Sequence, residues 1–391
     1  MSRTCPYHPP PGYANLRERG PLSRARLYDG RVAWVVTGYE ETRRLLVDPR
    51  LSSDRSRPDF PVLVPRMAAA RLTALVGMDP PEHDVQRRML IGNFTVRRVT
   101  ALRPSIRRIV DERIDALLAK GEGADLIPEF ALPVPSTVIC ELLGVPYRDH
   151  EFFEEQTRRM LMATSTARQA ADAATALLGY FDTLIGAKLA GKGEHTPDDG
   201  LLDELVEDRL RTGELSRPDL ATIAMFLLVA GHETTANMIG LSILALLEHS
   251  GELARLRADG TLLTGAVEEL LRFLSVADEL QRVAAADIEI GGVVIEQGDG
   301  VYLPNAAANR SAEAFPDPDM FDITRSSRHH LAFGYGVHQC IGQNLARAEL
   351  EIALGRLITR IPTLRLAEPL DALGTKPGGS VQGVLRLPVT W

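Results

Sequence analysis

The stretch HHLAFGYGVHQCIGQNLARAELEIAL, residues 329 to 354, places one of only three cysteines, Cys340, among Gly334, Gly336 and Gly342. These glycines permit backbone angles that other residues resist, so the chain can curl closely around a sulfur or pass against a flat ligand. Ile341, Leu345, Ala348 and Ile352 follow at helical spacing, which predicts that Cys340 stands at a helix N-terminus. Backbone N–H groups and the positive end of the macrodipole would favour a thiolate there. Two readings stand on these residues alone: a metal-bound thiolate, or a Gly-rich turn around a buried, inert thiol.

Three more clusters have suggestive spacing. In MFLLVAGHETTANMIG, residues 225 to 240, Gly231, His232, Glu233, Thr234 and Thr235 interrupt a long apolar helical pattern, a choice that a purely structural helix rarely accepts. Phe226, Ala230 and Thr234 recur every four residues and share one helix face. In EELLR, Glu269 and Arg272 can meet on one side of a helix; alone, such a pair is an ordinary salt bridge worth roughly 0 to 1 kcal/mol. In DPPEHDVQRR, His83 and Arg87 follow a Pro-Pro helix start at i, i+4 and can reach one anion, or else form the solvated face of an amphipathic helix.

The elements that must position these groups read as mostly helical. RVAWVVT at 31 to 37 predicts a strand, followed by a helix at 39 to 47. Helical spacing runs from about 82 to 120 with a break expected near Pro104, a short helix ends at Gly144 and Pro146, and helices dominate up to residue 274. ADIEIGGVVIEQGDGVYLP predicts a small β meander, and the final VLRLPVTW one more edge strand. The fold class expected is mainly α with small β-sheets, as a single domain over residues 1–391.

Composition narrows the function classes. Hydrophobic content of 45% and charged content of 25% are those of a globular protein. With 44 Lys+Arg against 52 Asp+Glu the net charge of -8 argues against nucleic acid as a partner. The start MSRTCPYHPPPGY has no apolar h-region and the longest apolar stretch, 223–230, is too short for a span, so no secretion signal, lipid anchor or membrane anchor is expected. Cys5, Cys140 and Cys340 form neither a disulfide framework nor a zinc-type pattern, which fits a cytoplasmic protein.

The loop FGYGVHQCIG resembles the haem-ligand loop of cytochrome P450, matching it at Phe333, Gly334, Gly336, His338, Cys340 and Gly342. The clusters and the β meander also follow that family's order from residue 79 to 347. The resemblance implies haem b between a long distal helix and a proximal cysteine-loop helix, with Cys340 as the axial thiolate of iron. It implies Glu233 and Thr234 as the acid–alcohol pair that manages protons, with Ala230 and Gly231 leaving room for oxygen. His83, Arg87, Arg282 and His338 would hold the propionates, for which the planar fork of arginine suits a carboxylate. Glu269 and Arg272 would be an internal structural ion pair.

By the same resemblance the chain is a monooxygenase, a monomer, that hydroxylates or epoxidises a bulky hydrophobic small molecule such as a macrolide, polyketide or other secondary metabolite. Its alternative is a promiscuous xenobiotic or steroid hydroxylase. A peroxygenase, a haem sensor without turnover and a haem-free helical binding protein are rivals that Glu233-Thr234 and the haem pattern disfavour. Pocket walls are expected from Leu75, Val76, Phe226, Val229, Ala230, Val276, Ala277 and Val381. No flavin or nicotinamide domain is recognised, so electrons from NAD(P)H should arrive through a separate ferredoxin and reductase. Arg88, Arg97, Arg98 and Arg347 either form a basic patch for that ferredoxin or are solvated surface arginines.

Overall fold

Apolar residues cover the whole circumference of Arg217–Glu248, and this helix is buried along most of its length. Ser216 caps it, with its hydroxyl accepting from the Asp219 N–H at 3.2 Å. The computed structural model describes residues 5–69, 72–191, 200–278, 280–376 and 381–391. Within them the first half of the chain forms α1 (Gly12–Glu18), α2 (Tyr39–Leu46), α3 (Pro65–Ala69), α4 (Glu82–Leu90), α5 (Val96–Ala119), α6 (Pro133–Leu143), α7 (His150–Leu161) and α8 (Ala167–Leu189). The second half adds α9 (Leu201–Leu205), the long α10 (Arg217–Glu248), α11 (Ser250–Ala258), α12 (Leu263–Leu274), α13 (Asn305–Ala308) and α14 (Gln343–Arg360).

The helices share one core. Buried side chains of α5, α6, α8, α10, α12 and α14 form a continuous apolar cluster reaching from Ala74 to Val389. Close approach is built in by glycine: a Cβ at Gly231 would lie 3.0 Å from Ile139 Cδ1 on α6, and one at Gly240 would lie 2.7 Å from Ile127 Cδ1. No described helix is long and apolar enough to cross a membrane.

The strands are β1 (Leu22–Arg26), β2 (Val32–Val36), β3 (Leu51–Ser52), β4 (Ala124–Asp125), β5 (Leu280–Ala284), β6 (Ile288–Ile290), β7 (Val293–Ile295), β8 (Gly300–Leu303), β9 (Arg365–Leu366) and β10 (Pro388–Thr390). They make a sheet of order β1-β2-β8-β5-β3, a small sheet β4-β10-β9 and the hairpin β6-β7.

Three expectations change. β8 does not extend the expected meander: it leaves the β6-β7 hairpin to pair parallel with β2, Trp34 opposite Val301, because Val301 and Leu303 bury against Trp34 and Val36. β10 is the central strand of its sheet, not an edge, with Val389 buried between its neighbours. α5 runs unbroken through Pro104, whose ring and the Thr100 carbonyl it leaves unbonded lie on an exposed face where water can serve that carbonyl. The break falls instead at Ile91–Thr95, where Thr95 caps α5 by accepting from the Arg98 N–H at 3.3 Å.

Candidate active site

The cysteine loop is shaped by close backbone packing. Gly336 has φ +73°, and a Cβ there would lie 2.5 Å from the Leu46 carbonyl oxygen at the end of α2, so only glycine fits. The Cys340 N–H donates to the Phe333 carbonyl at 2.9 Å and closes the loop just ahead of α14. The Cys340 side chain lines the cavity and is accessible. Burial pushes its thiol up; a hydrogen bond from the Gly342 N–H and the charges of Arg87 and Arg347 act the other way.

Arg347 is not the free surface cation that a docking patch would need. Its guanidinium forks onto Glu268 at 2.6 and 3.1 Å and covers the Phe333 ring at 4.7 Å. Glu268 also meets His330 Nε2 at 3.2 Å; burial works against its charge, yet these two partners hold it down at about 2. Arg98 lies 3.5 Å from Glu204, while Arg88 and Arg97 are exposed.

Beside the loop, basic side chains from distant parts of the chain converge. The rings of His83 and His338 lie 4.2 Å apart, and Arg87 Nη2 donates to the Gln339 carbonyl at 2.8 Å. Arg282 is buried on β5 and donates to its neighbour's carbonyl at 2.7 Å. Burial, with a push from Arg55, brings it down to about 10. Burial also drives His338 down to about 3, reinforced by Arg282, His83, Arg87 and Arg55. Its Nδ1 is buried without a protein partner. Such an accumulation of positive charge with an orphaned ring nitrogen suits a ligand carrying carboxylates, and the set can hold the two propionates of a flat cofactor.

Across the cavity, Phe226, Ala230 and Thr234 present one face of α10 together with Leu75, Val76, Val276 and Ala277. The cavity measures about 320 Å³ and its walls are mainly apolar. Val229 is buried in the core, and Val381 bridges Ala277 outside the lining. The Thr234 hydroxyl donates to the Ala230 carbonyl at 2.6 Å, leaving its lone pairs for the cavity. Gly231 also lines the cavity, and its missing side chain lets Ile139 of α6 pack closely against the helix.

Glu233 does not line the cavity with Thr234. It pairs with Lys376 at 2.5 Å and accepts from Asn237 Nδ2 at 3.0 Å. Burial opposes its charge, but Lys376, His232 and Asn237 keep its carboxyl below the usual range. His232 is buried with neither ring nitrogen paired to protein, and burial lowers it to about 4.

Glu269 and Arg272, both fully buried, form a two-pronged pair with both contacts at 2.7 Å. Ser327, Arg325 and the Asp322 N–H also donate to Glu269, and Arg272 donates to the carbonyls of Asn309 and Pro318. Sequence reasoning missed Arg55, Glu268, Arg325, Glu349 and Lys376. Glu349 lines the cavity from α14, and burial raises its carboxyl to about 8; its place nine residues after Cys340, inside an apolar helical run, was the available signal. Lys376 carries no local pattern, since chain reversal alone brings it to Glu233.

The family model "Cytochrome P450" matches residues 190–362. The chain is 54% identical to pentalenic acid synthase of Streptomyces avermitilis, covering 100% of this chain and 96% of that protein. It is 53% identical to vitamin D3 dihydroxylase of Streptomyces griseolus, again covering 100% and 96%. Among solved structures, mycinamicin VIII C21 methyl hydroxylase from Micromonospora griseorubida, bound to mycinamicin VIII, superposes with a TM-score of 0.94 at 43% identity, covering 100% of this chain and 99% of that one. With relatives this similar over its whole length, the chain belongs to the cytochrome P450 family and is an oxidoreductase of the monooxygenase type.

Proposed function

We propose that this enzyme hydroxylates or epoxidises a bulky, mainly apolar small molecule of the terpenoid, secosteroid or macrolide kind, with electrons passed from NAD(P)H by a separate reductase and ferredoxin. The observation that carries the reading is the apolar cavity between the Cys340 sulfur and the Phe226–Ala230–Thr234 face of α10. Relatives named for pentalenic acid, vitamin D3 and mycinamicin VIII support the substrate class.

Haem iron on a cysteine thiolate, the family's cofactor, supplies the oxygen-activating chemistry when bound. Cys340 is its ligand, and the Gly342 N–H together with Arg87 and Arg347 stabilises negative charge on the sulfur. His83, Arg87, Arg282 and His338 bind the propionates, with Arg55 adding positive charge beside them. Leu75, Val76, Phe226, Val276 and Ala277 exclude water and orient the substrate by shape. Thr234 Oγ1, its own proton engaged by Ala230, accepts a hydrogen bond at the cavity wall and so steadies a proton donor there. Glu233 is the buried acid that replenishes protons at that point.

The experiment is a spectral titration of the holoenzyme with vitamin D3 and mycinamicin VIII, followed by product analysis with a ferredoxin and reductase supplied. Displacement of water by either ligand, seen as a type I shift, and an oxygenated product are expected. Absence of both signals with both ligands would contradict the assigned substrate class.

A further inference from the structure

One short stretch of the C-terminal chain touches both the substrate wall and the buried acid. Thr375 bridges Val384 antiparallel, and the Lys376 N–H donates to the Gly383 carbonyl at 2.8 Å. The same returning segment is fastened to the wall: Val381 bridges Ala277, and the Gln382 N–H donates to the Val276 carbonyl at 2.9 Å. Gly383 lies flush on α10, where an added Cβ would fall 1.8 Å from Asn237 Oδ1. Asn237 is one turn from Glu233 and already holds its carboxylate. Gly383 and Lys376 are thus tied to the Val276–Ala277 wall on one side and to the Glu233 turn of α10 on the other.

We propose that Lys376 is a positioning residue that couples occupancy of the Val276–Ala277 wall to release of Glu233. With the wall relaxed, Lys376 holds the carboxylate ionised and outside the cavity. A bulky ligand pressing on the wall loosens the 2.5 Å contact and frees Glu233 to take up a proton. Among the described residues, the other ionisable groups that interact with Glu233 are His232 on its own helix and Glu154 on α7, whose carboxyl is itself raised by burial. Linkage is reciprocal: if the ligand weakens the ion pair, a chain whose pair is already broken must bind the ligand more tightly.

The coupling rests on Glu233 as the proton source, and the test separates the two. Spectral titration of the holoenzyme with vitamin D3 and mycinamicin VIII at pH 6 and pH 8 should give a dissociation constant about fivefold lower in Lys376→Met than in wild type at pH 8. Lys376→Arg should stay close to wild type. Thermal unfolding of the ligand-free holoenzymes supplies a readout that needs no ligand. Lys376→Met should lose stability relative to wild type as pH rises from 5 to 8, because its buried carboxylate has lost its counter-charge, and Lys376→Arg should not. Equal affinity in Lys376→Met and wild type, or superimposable pH profiles of unfolding, would overturn the coupling. Unchanged peroxide release in Glu233→Gln would instead overturn the acid role on which it rests.

Discussion

The two sides of the cavity solve opposite problems. On the proximal side, Glu269–Arg272 is a buried ion pair and the buried Glu268 is shared by half-buried Arg347 and by His330, with most of their hydrogen-bonding capacity met by side chains and backbone. On the distal side, α10 carries a histidine with no hydrogen-bond partner in the protein and an acid held by one lysine and one asparagine, beside walls that are mostly apolar. Networks of the first kind fix a geometry, because removing one member strands its partners in low dielectric. A sparsely paired site leaves a few groups able to change partners, which proton transfer and ligand entry require.

The largest effect should come from breaking the proximal network. Glu269→Ala leaves Arg272 buried without its counter-charge and the Ser327 hydroxyl and Arg325 Nε without their acceptor; a loss of about 3–5 kcal/mol is expected, together with poor haem incorporation, read by denaturant unfolding and haem content. Glu268 predicts an acid limb. Its folded carboxyl, at about 2 against an ordinary 4.5, gives stability that is present above pH 4.5 and lost as pH falls towards 2, amounting to about 3 kcal/mol. Glu268→Gln should flatten that limb in a Tm–pH profile.

Gly336→Ala is intermediate. It places a methyl group against the Leu46 carbonyl in a left-handed backbone and should cost about 1–3 kcal/mol in urea unfolding. The distal contrast is Thr234→Ala, which loses only an intrahelical hydrogen bond and should change stability by about 1 kcal/mol or less. Its effect should appear in chemistry, as a severalfold rise in peroxide released per NADPH consumed. A large stability loss in Thr234→Ala with unchanged coupling would erase the difference between the two sides.

The legible part of this molecule was whatever its local pattern encodes. α10, α6 with its left-handed Gly144 cap, the β6-β7 hairpin and the cysteine loop each announce themselves through spacing, caps or glycines. Glu269 and Arg272 lie one helical turn apart, so their pairing is local too. The parallel partnership of β2 with β8, by contrast, joins residues more than 260 positions apart and depends on which apolar faces meet in three dimensions. Lys376 at Glu233 and Arg347 at Glu268 are products of that long-range packing, as is the close approach of Ile139 to Gly231. Pro104 misled because a helix tolerates proline where the freed carbonyl faces water.

Thiolate ligation of haem iron by Cys340, proposed above, is open to direct spectroscopic test. Carbon monoxide added to the reduced holoprotein should give the red-shifted Soret band of a thiolate-ligated haem, and Cys340→His should move it to the position seen in histidine-ligated globins. A globin-like band in the wild-type protein, or a red-shifted band that survives Cys340→His, would show that Cys340 is not the ligand.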